Sequence, residues 1–340
     1  MNNIKLSVCI ATYNREKYLT ESLSKLLDNK NYFKNTFEVV IVDGASTDNT
    51  EEVVKTFQNS LNIKYIKLLE KGGIDKDFDI CVRNASSEYC WLLPDDDIVS
   101  ENTIDYIFNK LSLYKETDLL ILNSNCWNYN INTQLNKNNL TINEDFYIDN
   151  KDFQTELFKI TKHYLSYIGA IIIKKDLWFN SNSEKYYGTR FIHLGVISEI
   201  PKNSKILITC DPKIKIRLGN AEWTNVSFKV WYHLWPSVIT LYSSLKIKDI
   251  NKLCFRSFKA KLGLFLYHRS LNTLNFKTFK ENILNNKKLF DTILSFTLIL
   301  IPSFLIRLLY HFRYRIENNL VGLYNITDGR FSKNSWKSID

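Results

Sequence analysis

Short apolar runs alternate with amphipathic segments over the first 130 residues of the chain. The apolar runs are continuous or β-branched, as in strands buried on both faces, and they lie at Leu6–Ala11, Phe37–Val42, Ile63–Leu69, Tyr89–Leu93 and Leu119–Asn123. Between them, apolar residues recur at helical spacing over Glu16–Leu27, Asn49–Phe57, 72–85 and Ile98–Tyr114. Because each parallel connection needs a crossover helix, this alternation predicts an α/β fold with a mostly parallel, doubly wound sheet.

The pattern changes after this region. Residues 128–150 are rich in Asn and weakly periodic, which predicts an excursion loop or a hairpin. Tyr167–Ile173 and Ile206–Thr209 predict further strands, and from about Trp223 onward apolar residues at spacings of three and four predict helices. We therefore expect an α/β domain over residues 1–222 and a helical C-terminal region over 223–340.

Charge separates the chain into two parts. Residues 1–150 carry 15 Lys and Arg against 23 Asp and Glu, whereas residues 151–340 carry 30 against 13, so the net charges are −8 and +17. An acidic half could hold a metal ion, and a basic half is compatible with nucleic acid, anionic lipid, a pyrophosphate-bearing ligand or a merely solvated surface. The basic residues alternate with aliphatic runs and no nucleic-acid-binding motif occurs, so we predict no nucleic-acid partner.

Composition excludes several classes of protein. The 340 residues are 45% hydrophobic, with 10 Gly and 5 Pro, which excludes collagen-like and wholly disordered chains. The 6 Cys form no CxxC pair and lie mostly in apolar runs, which predicts reduced core residues. The N-terminal residues offer no apolar stretch long enough for a signal peptide, so we expect a cytoplasmic protein.

Polar residues follow each predicted strand of the first half, at Thr12–Arg15, Asp43–Ser46, 70–73 and 94–97. In an open parallel sheet, ligands bind at these carboxyl ends. The chain contains neither GxGxxG nor GxxxxGK[ST], so the sequence does not indicate a dinucleotide-binding site or a P-loop.

Three adjacent carboxylates, Asp95, Asp96 and Asp97, stand after the fourth strand. Like charges this close repel one another, and a bound cation would neutralise them. Oxygen ligands suit Mg²⁺ or Mn²⁺, which typically keep open positions for substrate phosphates. The alternative is a solvated acidic turn that caps the helix predicted from Ile98.

Three motifs occur in order along the chain: LSVCIATYNR, FEVVIVDGASTDNT and KGGIDKDFDICVRNASSEYCWLLPDDD. Together they resemble the nucleotide-sugar-binding half of family 2 glycosyltransferases with the GT-A fold. The resemblance covers roughly residues 4–125 and thins after residue 130. Trp91 and the later RLGNAEWT segment are similar to the abequosyltransferase-type subgroup of bacterial polysaccharide enzymes. The resemblance implies a metal-dependent, inverting glycosyltransferase whose residues 1–222 bind the nucleotide sugar and carry out catalysis.

The resemblance also implies roles for individual residues. The nucleotide of the donor would be bound by Thr12, Tyr13, Asn14, Arg15, Asp43, Gly73, Asp77, Arg83 and Asp95. Asp96 and Asp97 would hold the Mn²⁺ or Mg²⁺ that bridges the diphosphate. Family members commonly have an aspartate where Pro94 stands, which leaves open which of the three acids meets the metal and which meets the ribose.

Two further sets of residues are candidates on their chemistry. Arg217 lies in a polar and aromatic cluster before a predicted helix and could contact the diphosphate, although an ordinary helix N-terminus explains the cluster equally well. An inverting transfer needs a base at the acceptor hydroxyl. Many relatives supply this base from a Glu-Asp pair in the second half, and the second half of this chain contains no such pair. His193 is therefore the first candidate for a base or a further metal ligand, with Glu184 and Glu199 behind it. A structural histidine is the alternative.

The C-terminal region contains 15 uncharged residues over 292–306, interrupted by Pro302. This is shorter than the roughly 20 apolar residues that a spanning helix needs. Arg307, Arg313 and Arg315 follow it, and apolar residues beside a basic fringe are typical of an element in the membrane interface. We therefore predict that residues 289–315 dock on an anionic membrane, at the inner face of the cytoplasmic membrane. A buried core helix or a homo-oligomer interface is the alternative.

Together these features predict transfer of a sugar from a nucleoside diphosphate sugar, UDP before CDP or GDP, to a glycan or lipid-linked oligosaccharide acceptor. The product would be a bacterial surface polysaccharide. A non-catalytic, membrane-associated protein that binds nucleotide sugars or glycans with the same fold is the second hypothesis. A nucleotidyltransferase would also pair aspartates with a metal, but it would not explain the order of the strand-end motifs.

Overall fold

A computed structural model describes residues 6–29, 37–150, 152–220, 222–286 and 288–327. The strands of these residues are β1 (Leu6–Thr12), β2 (Phe37–Asp43), β3 (Ile63–Lys67), β4 (Tyr89–Leu92), β5 (Ile98–Val99), β6 (Leu119–Trp127), β7 (Phe146–Ile148), β8 (Ile171–Lys174) and β9 (Ile206–Arg217). The helices of the first 200 residues are α1 (Glu16–Asp28), α2 (Thr50–Gln58), α3 (Ile74–Asn84), α4 (Thr103–Leu113), α5 (Phe153–Thr161), α6 (Lys175–Phe179) and α7 (Ile192–Glu199). The later helices are α8 (Ser227–Lys229), α9 (Trp235–Ile239), α10 (Ile247–Leu253), α11 (Phe258–Ser270), α12 (Phe276–Asn282), α13 (Leu289–Leu300), α14 (Ser303–Ile316) and α15 (Leu320–Thr327).

The strands form one sheet in the order β3-β2-β1-β4-β8-β6-β9-β5, with β7 paired to β9. The strands β3, β2, β1 and β4 are mutually parallel, and Thr12 stands opposite Asp43 at the end of the β1–β2 ladder. Beyond β4, strand β8 runs antiparallel and pairs with both β4 and β6. The predicted α/β fold with a mostly parallel sheet is confirmed. The antiparallel strands of the sheet are those beyond β4 in the strand order.

The central strands β1 and β2 lie in the core because their side chains are buried on both faces of the sheet. Every residue of β1 and β2 is buried. Alternate residues such as Val8 and Ile10 pack with Leu19 and Leu23 of α1 and Ile107 of α4. Each such aliphatic side chain contributes roughly 1.5–3 kcal/mol by leaving water. The two predicted strands are therefore held by burial on both faces.

Two predicted elements differ from the structure. Ile98 and Val99 were expected to begin a helix, but they form β5, which pairs antiparallel with Lys215 and Ile214 of β9. The helix begins only at Thr103. The expected strand over 167–173 is likewise shorter, because 3₁₀ turns occupy the residues before Ile171 and β8 starts there. Both differences arise from pairing with strands distant in the chain, which local periodicity does not report.

The chain divides into two compact units. One comprises Met1–Asn125, Lys137–Ile216 and Leu241–Ser244, and the other comprises Cys126–Asn136, Arg217–Thr240 and Leu245–Asp340. The predicted domain boundary after residue 222 stays a prediction. Along the chain, the main part of the second unit begins at Arg217. Hydrogen bonds explain this boundary, because Leu218 N donates to Trp127 O at 3.0 Å and Arg217 Nη1 donates to Tyr129 O at 2.6 Å.

Asp79 of α3 joins that helix to the segment around residues 178–187. Its buried carboxylate accepts hydrogen bonds from Trp178 Nε1, Ser183 Oγ and Tyr187 OH, each at 2.7 Å. It also accepts from Arg83 Nε at 2.8 Å. Burial by itself would raise the pKa of Asp79, but the four donors outweigh it and the pKa is lowered. Asp79 is therefore ionised, and its hydrogen bonds anchor α3 to the segment around residues 178–187.

We expect Asp79→Ala to lower the free energy of unfolding by about 2–4 kcal/mol, because it leaves the buried donors of Trp178 and Ser183 without their acceptor. Urea denaturation of the two proteins measures this. Glu52→Ala is the control, since the Glu52 side chain is 68% exposed on α2 and its loss should change stability by less than about 0.5 kcal/mol. A loss of under about 1 kcal/mol for Asp79→Ala would contradict the anchoring role.

Candidate active site

The strand order reverses at β1, which has β2 on one side and β4 on the other. A crevice at such a switch point is where open α/β sheets bind ligands. Thr12 at the end of β1 donates its hydroxyl to Asp95 Oδ2 at 2.7 Å. Arg15 donates to Asp96 Oδ2 at 2.6 Å and to Asp95 Oδ1 at 3.4 Å. The structure thus brings these four predicted site residues together.

Each acid of the triple aspartate has a different partner. Arg15 supplies the positive charge beside Asp95 and Asp96, and these three side chains are only 8–17% exposed. Asp97 accepts a hydrogen bond from Tyr167 OH at 2.6 Å. Burial, together with the charge of Asp97, raises the pKa of Tyr167, so the phenol remains a donor. The sequence offered no signal for Tyr167, which was expected in a strand.

The loops after β1 and β2 hold each other in place. Asp43 has no exposed surface, and its two oxygens accept from Ser46 N at 2.7 Å and Tyr65 OH at 2.5 Å. Asn14 N donates to Ser46 Oγ at 2.8 Å, and Asn14 Oδ1 accepts from Thr47 N at 2.7 Å. Asn14 has a φ of 52°, a conformation that Asn tolerates better than most residues. Asp43 and Asn14, which are both predicted site residues, therefore hold the loops after β1 and β2 in fixed positions.

The three acids of α3 point in two directions. Asp75 and Asp79 are four residues apart and share a face. Asp75 accepts from the backbone N–H groups of Arg190 and Ile192 at 2.8 and 3.2 Å, so this face holds the segment that precedes α7. Asp77 lies on the opposite face, the one that also buries Cys81 against β1. Burial raises the pKa of Asp77 to about 6.

Gly73 and Arg83 lie at opposite ends of α3. Gly73 precedes the helix with a φ of 91°, at the end next to the strand termini. Arg83 stands in the last turn, about 15 Å along the axis from the first turn. There it pairs with Asp79 and donates to Ser183 Oγ at 3.0 Å. The prediction that Arg83 closes over the nucleotide is not supported, because its guanidinium is bound at the far end of the helix.

Arg217 belongs to the second unit, where its guanidinium is buried and donates to the carbonyl of Tyr129. This contact gives it a structural role within that unit. Its contact with a diphosphate stays a prediction.

The acids after β4 fit a divalent cation as oxygen donors. Among the described residues, no three His, Cys, Asp or Glu side chains are arranged as a complete metal-binding group. Mg²⁺ usually takes only one or two carboxylates and completes its shell with water and substrate phosphates. A site of that kind needs no third protein ligand, and Asp96 and Asp97 would supply its two carboxylates.

Comparison with known proteins decides the family. The model of glycosyl transferase family 2 matches residues 7–178, just over half of the chain, and these residues include every strand-end motif described above. The chain belongs to this family. It is a glycosyltransferase, and its predicted resemblance to family 2 and to abequosyltransferase-type enzymes is confirmed.

Individual proteins resemble this glycosyltransferase over most of its length. Abequosyltransferase RfbV of Salmonella typhimurium is 26% identical over 322 residues, which cover 86% of this chain and 93% of that protein. The crystal structure of S. aureus TarS 1–349 in complex with UDP-GlcNAc matches 99% of this chain and 92% of that one, with a TM-score of 0.59 and 16% identity. The mannosyltransferase PcManGT from Pyrobaculum calidifontis, in complex with GDP-Man and Mn²⁺, matches 96% and 88% with a TM-score of 0.50 and 14% identity. At these identities, the structural matches show the shared GT-A fold.

His193, the first candidate for the base of this glycosyltransferase, lies inside the first unit. Its imidazole has no exposed surface, and Nε2 is 2.9 Å from Leu165 O. Burial lowers the pKa of His193 to about 4. A side chain without access to solvent cannot reach an acceptor hydroxyl, so the structure does not support His193 as the base or as a metal ligand. It is a core histidine.

The other two candidate bases lie at the surface around residues 182–199. Glu199 accepts from Asn182 N at 2.8 Å and from Tyr186 OH at 2.5 Å. Although burial opposes ionisation, these donors lower the pKa of Glu199. Glu184 is exposed on the neighbouring turn. The assignment of the base to either carboxylate stays a prediction.

We expect His193 to reduce stability in acid. Its folded pKa of about 4 lies below the usual 6.5, so the unfolded chain takes up the proton first and stability is lost as the pH falls from 6.5 toward 4. The loss should reach about 3 kcal/mol near pH 4. His193→Gln should therefore lose less unfolding free energy than the wild type between pH 7 and pH 4.5, as measured by urea denaturation, and it should retain sugar transfer. An unchanged pH dependence with abolished transfer would instead indicate a catalytic role.

Proposed function

We propose that this glycosyltransferase moves a sugar from a nucleoside diphosphate sugar to a glycan acceptor during synthesis of a bacterial surface polysaccharide. The observation that carries the proposal is the cluster of Thr12, Arg15, Asp95 and Asp96 at the switch point of the sheet. RfbV is by its name an abequosyltransferase, and TarS is by its name a poly(ribitol-phosphate) β-N-acetylglucosaminyltransferase. The TarS and PcManGT structures hold UDP-GlcNAc and GDP-Man.

We place the diphosphate of the donor beside the carboxylates that follow β4. Asp96 and Asp97 would hold Mn²⁺ or Mg²⁺, which neutralises the negative charge that develops on the departing diphosphate. Arg15 keeps Asp95 and Asp96 in position and adds a second positive charge at the same place. Tyr167 orients Asp97 by donating to one of its oxygens.

The acceptor would bind beside residues 187–192. Asp75 and Asp79 tie this segment to α3 through Arg190 N, Ile192 N and Tyr187 OH. A segment held in this way presents a fixed surface next to the N-terminal end of α3, where the donor lies. Direct attack by an acceptor hydroxyl would invert the anomeric configuration, with Glu184 or Glu199 as the base.

A thermal-shift panel of UDP-, GDP- and CDP-sugars with and without Mn²⁺ tests the donor site. We expect one nucleotide sugar to raise the melting temperature in a Mn²⁺-dependent way, because a ligand of the folded state stabilises it by mass action. Asp96→Ala and Asp97→Asn should lose the Mn²⁺-dependent part of the shift and lower turnover by at least about 100-fold. Glu52→Gln on α2 should behave as the wild type.

The outcomes of this panel separate the two hypotheses. Full turnover in Asp96→Ala and Asp97→Asn would contradict the metal assignment. A nucleotide-dependent shift without turnover toward any glycan acceptor would favour a non-catalytic binding protein. No shift with any nucleotide sugar would contradict the donor site itself.

We also propose that the second unit docks on the inner face of the cytoplasmic membrane, where a lipid-linked acceptor would lie. None of the described helices is by itself long and apolar enough to cross a bilayer, and α13 and α14 pass that test only as a pair bent by 91°. This pair presents an apolar face whose large side chains are 56–86% exposed, namely Leu289, Ile293, Leu300, Leu309, Phe312 and Ile316. Arg313 and Arg315 lie in the last turn of α14 beside it. Apolar residues beside basic ones favour an anionic membrane surface.

Binding to vesicles that contain phosphatidylglycerol tests this surface. Leu309→Glu combined with Phe312→Glu should weaken co-sedimentation by about 10-fold or more, because it puts two charges into the apolar face. Leu113→Glu is the matched control, since Leu113 is 71% exposed on α4 against 70% for Leu309. Equal loss in both proteins, or no loss in either, would contradict docking through α13 and α14.

A further inference from the structure

The second unit contains a pocket of its own. Its volume is about 90 Å³, and one side of it is open to solvent. Aromatic and charged side chains line it, and they come from α9 and the turn before it, the end of α10, α11 and α13. All of the lining residues belong to the second unit. The pocket is therefore not part of the donor site at the ends of β1, β2 and β4.

The ionic groups of the pocket leave an excess of positive charge. They are three cations, Arg256, Lys261 and Lys288, and one acid, Asp291. Asp291 is only 2% exposed, and its two oxygens accept from Lys261 Nζ and from Tyr232 OH, each at 2.6 Å. Arg256 and Lys288 are exposed, and no described carboxylate lies within ion-pairing distance of either. The pocket thus offers two uncompensated cations to an anion.

Two departures from regular backbone geometry lie at this pocket. Val230–Leu234, between α8 and α9, form a π-helical turn that carries Trp231 and Tyr232. Such turns are rare and occur frequently at functional sites. Phe255 has a φ of 53°, a left-handed conformation that bulky residues seldom adopt and that clusters at ligand sites. The backbone is therefore irregular at two of the segments that supply the aromatic lining.

The size and chemistry of the pocket indicate a small anion attached to a larger group. A cavity of roughly 150 Å³ holds a benzene-sized molecule, so a pocket of about 90 Å³ suits a single phosphate group. Arg and Lys are the side chains that most often bind phosphate oxygens. The rings of Trp231 and Phe255 lie edge to face, with centroids 6.3 Å apart, and both residues are half-buried. They provide an aromatic surface beside the cations, on which the C–H groups of a sugar or polyol can pack.

The pocket also lies close to the exposed apolar face of α13. Lys288 immediately precedes Leu289, which begins that helix and is 74% exposed. A phosphate that reaches Lys288 can therefore belong to a soluble molecule or to the headgroup of a lipid. The two sources share the same chemistry, a phosphate ester of a hydroxylated group.

We propose that this pocket binds a phosphate ester of a saccharide or polyol. Arg256 and Lys288 bind the phosphate, and Trp231 and Phe255 pack against the hydroxylated group. Asp291 holds Lys261 and Tyr232 in place and is a positioning residue. The site goes beyond the proposed sugar transfer, because its binding needs neither the nucleotide nor the metal ion.

Calorimetric titration with glucose 1-phosphate, without nucleotide or metal, tests the cations. Arg256→Gln combined with Lys288→Gln should lower the affinity by about 10-fold or more, because it removes two charge-assisted contacts with the phosphate. Lys248→Gln combined with Lys259→Gln is the matched control. It removes the same charge from exposed side chains of the same unit that do not line the pocket, so it should bind as the wild type. Glucose, which has no phosphate, should not bind.

Trp231→Leu tests the aromatic surface. It should weaken binding of glucose 1-phosphate by about 3-fold or more and leave binding of inorganic phosphate unchanged, because only the first ligand has a group that packs on the ring. Trp223→Leu is the control, since Trp223 is 36% exposed in the same unit and does not line the pocket. Equal loss of both ligands in Trp231→Leu would overturn the contact with the hydroxylated group.

Vesicles distinguish the two sources of the phosphate. If the ligand is a lipid headgroup, the Arg256 and Lys288 double variant should co-sediment less with phosphatidylglycerol vesicles than the Lys248 and Lys259 double variant. Excess glycerol 1-phosphate should then release the wild type from these vesicles. If the ligand is soluble, the two double variants should bind vesicles alike, and only the first should lose glucose 1-phosphate.

Equal behaviour of the two double variants in both the titration and the vesicle assay would overturn the site. Binding of glucose as tight as that of glucose 1-phosphate would overturn the role of the phosphate. Neither result would bear on the proposed sugar transfer, which the nucleotide-sugar panel tests in the first unit. The melting temperature of each variant without ligand establishes that it is folded.

Discussion

Ionised carboxylates that leave water must be supplied with donors or positive charge, and this requirement organises the first unit of the enzyme. Asp43, Asp79 and Asp97 are all nearly or fully buried, and each has specific hydrogen-bond donors. Some of these donors lie far along the chain, as Tyr167 does from Asp97 and Tyr187 does from Asp79. Satisfying the carboxylates therefore also fixes the positions of the strand ends and of the segment before α7.

Helix α3 shows how one short motif can serve several purposes. With 3.6 residues per turn, acids at alternate positions fall on opposite faces of the helix. Asp75 and Asp79 bind the segment before α7, whereas Asp77 faces the strand ends and keeps an oxygen without a protein donor. The first two acids anchor that segment, and Asp77 does not. The direction of the side chain therefore separates residues of the same type on one helix.

Sequence reasoning succeeded where the signal was local. The apolar runs of β1, β2 and β4 and the polar residues after them could be read directly, since burial on both faces leaves a continuous pattern. It failed where a distant partner decides. Ile98 and Val99 pair with β9 instead of starting a helix. Arg83, predicted to contact the nucleotide, is held by Asp79 and Ser183. His193, predicted as a base, is enclosed in the core. Tyr167 became visible as the partner of Asp97 only in three dimensions.

The sequence by itself determined the family, the parallel half of the sheet and the set of strand ends at which a donor would bind. It did so because strand periodicity and strand-end motifs are local properties of the chain. Only the tertiary structure decided which acids anchor distant segments of the chain and which do not. The reason is physical: the availability of a carboxylate depends on the donors and the space around it, and those come from residues that the sequence places tens of positions away.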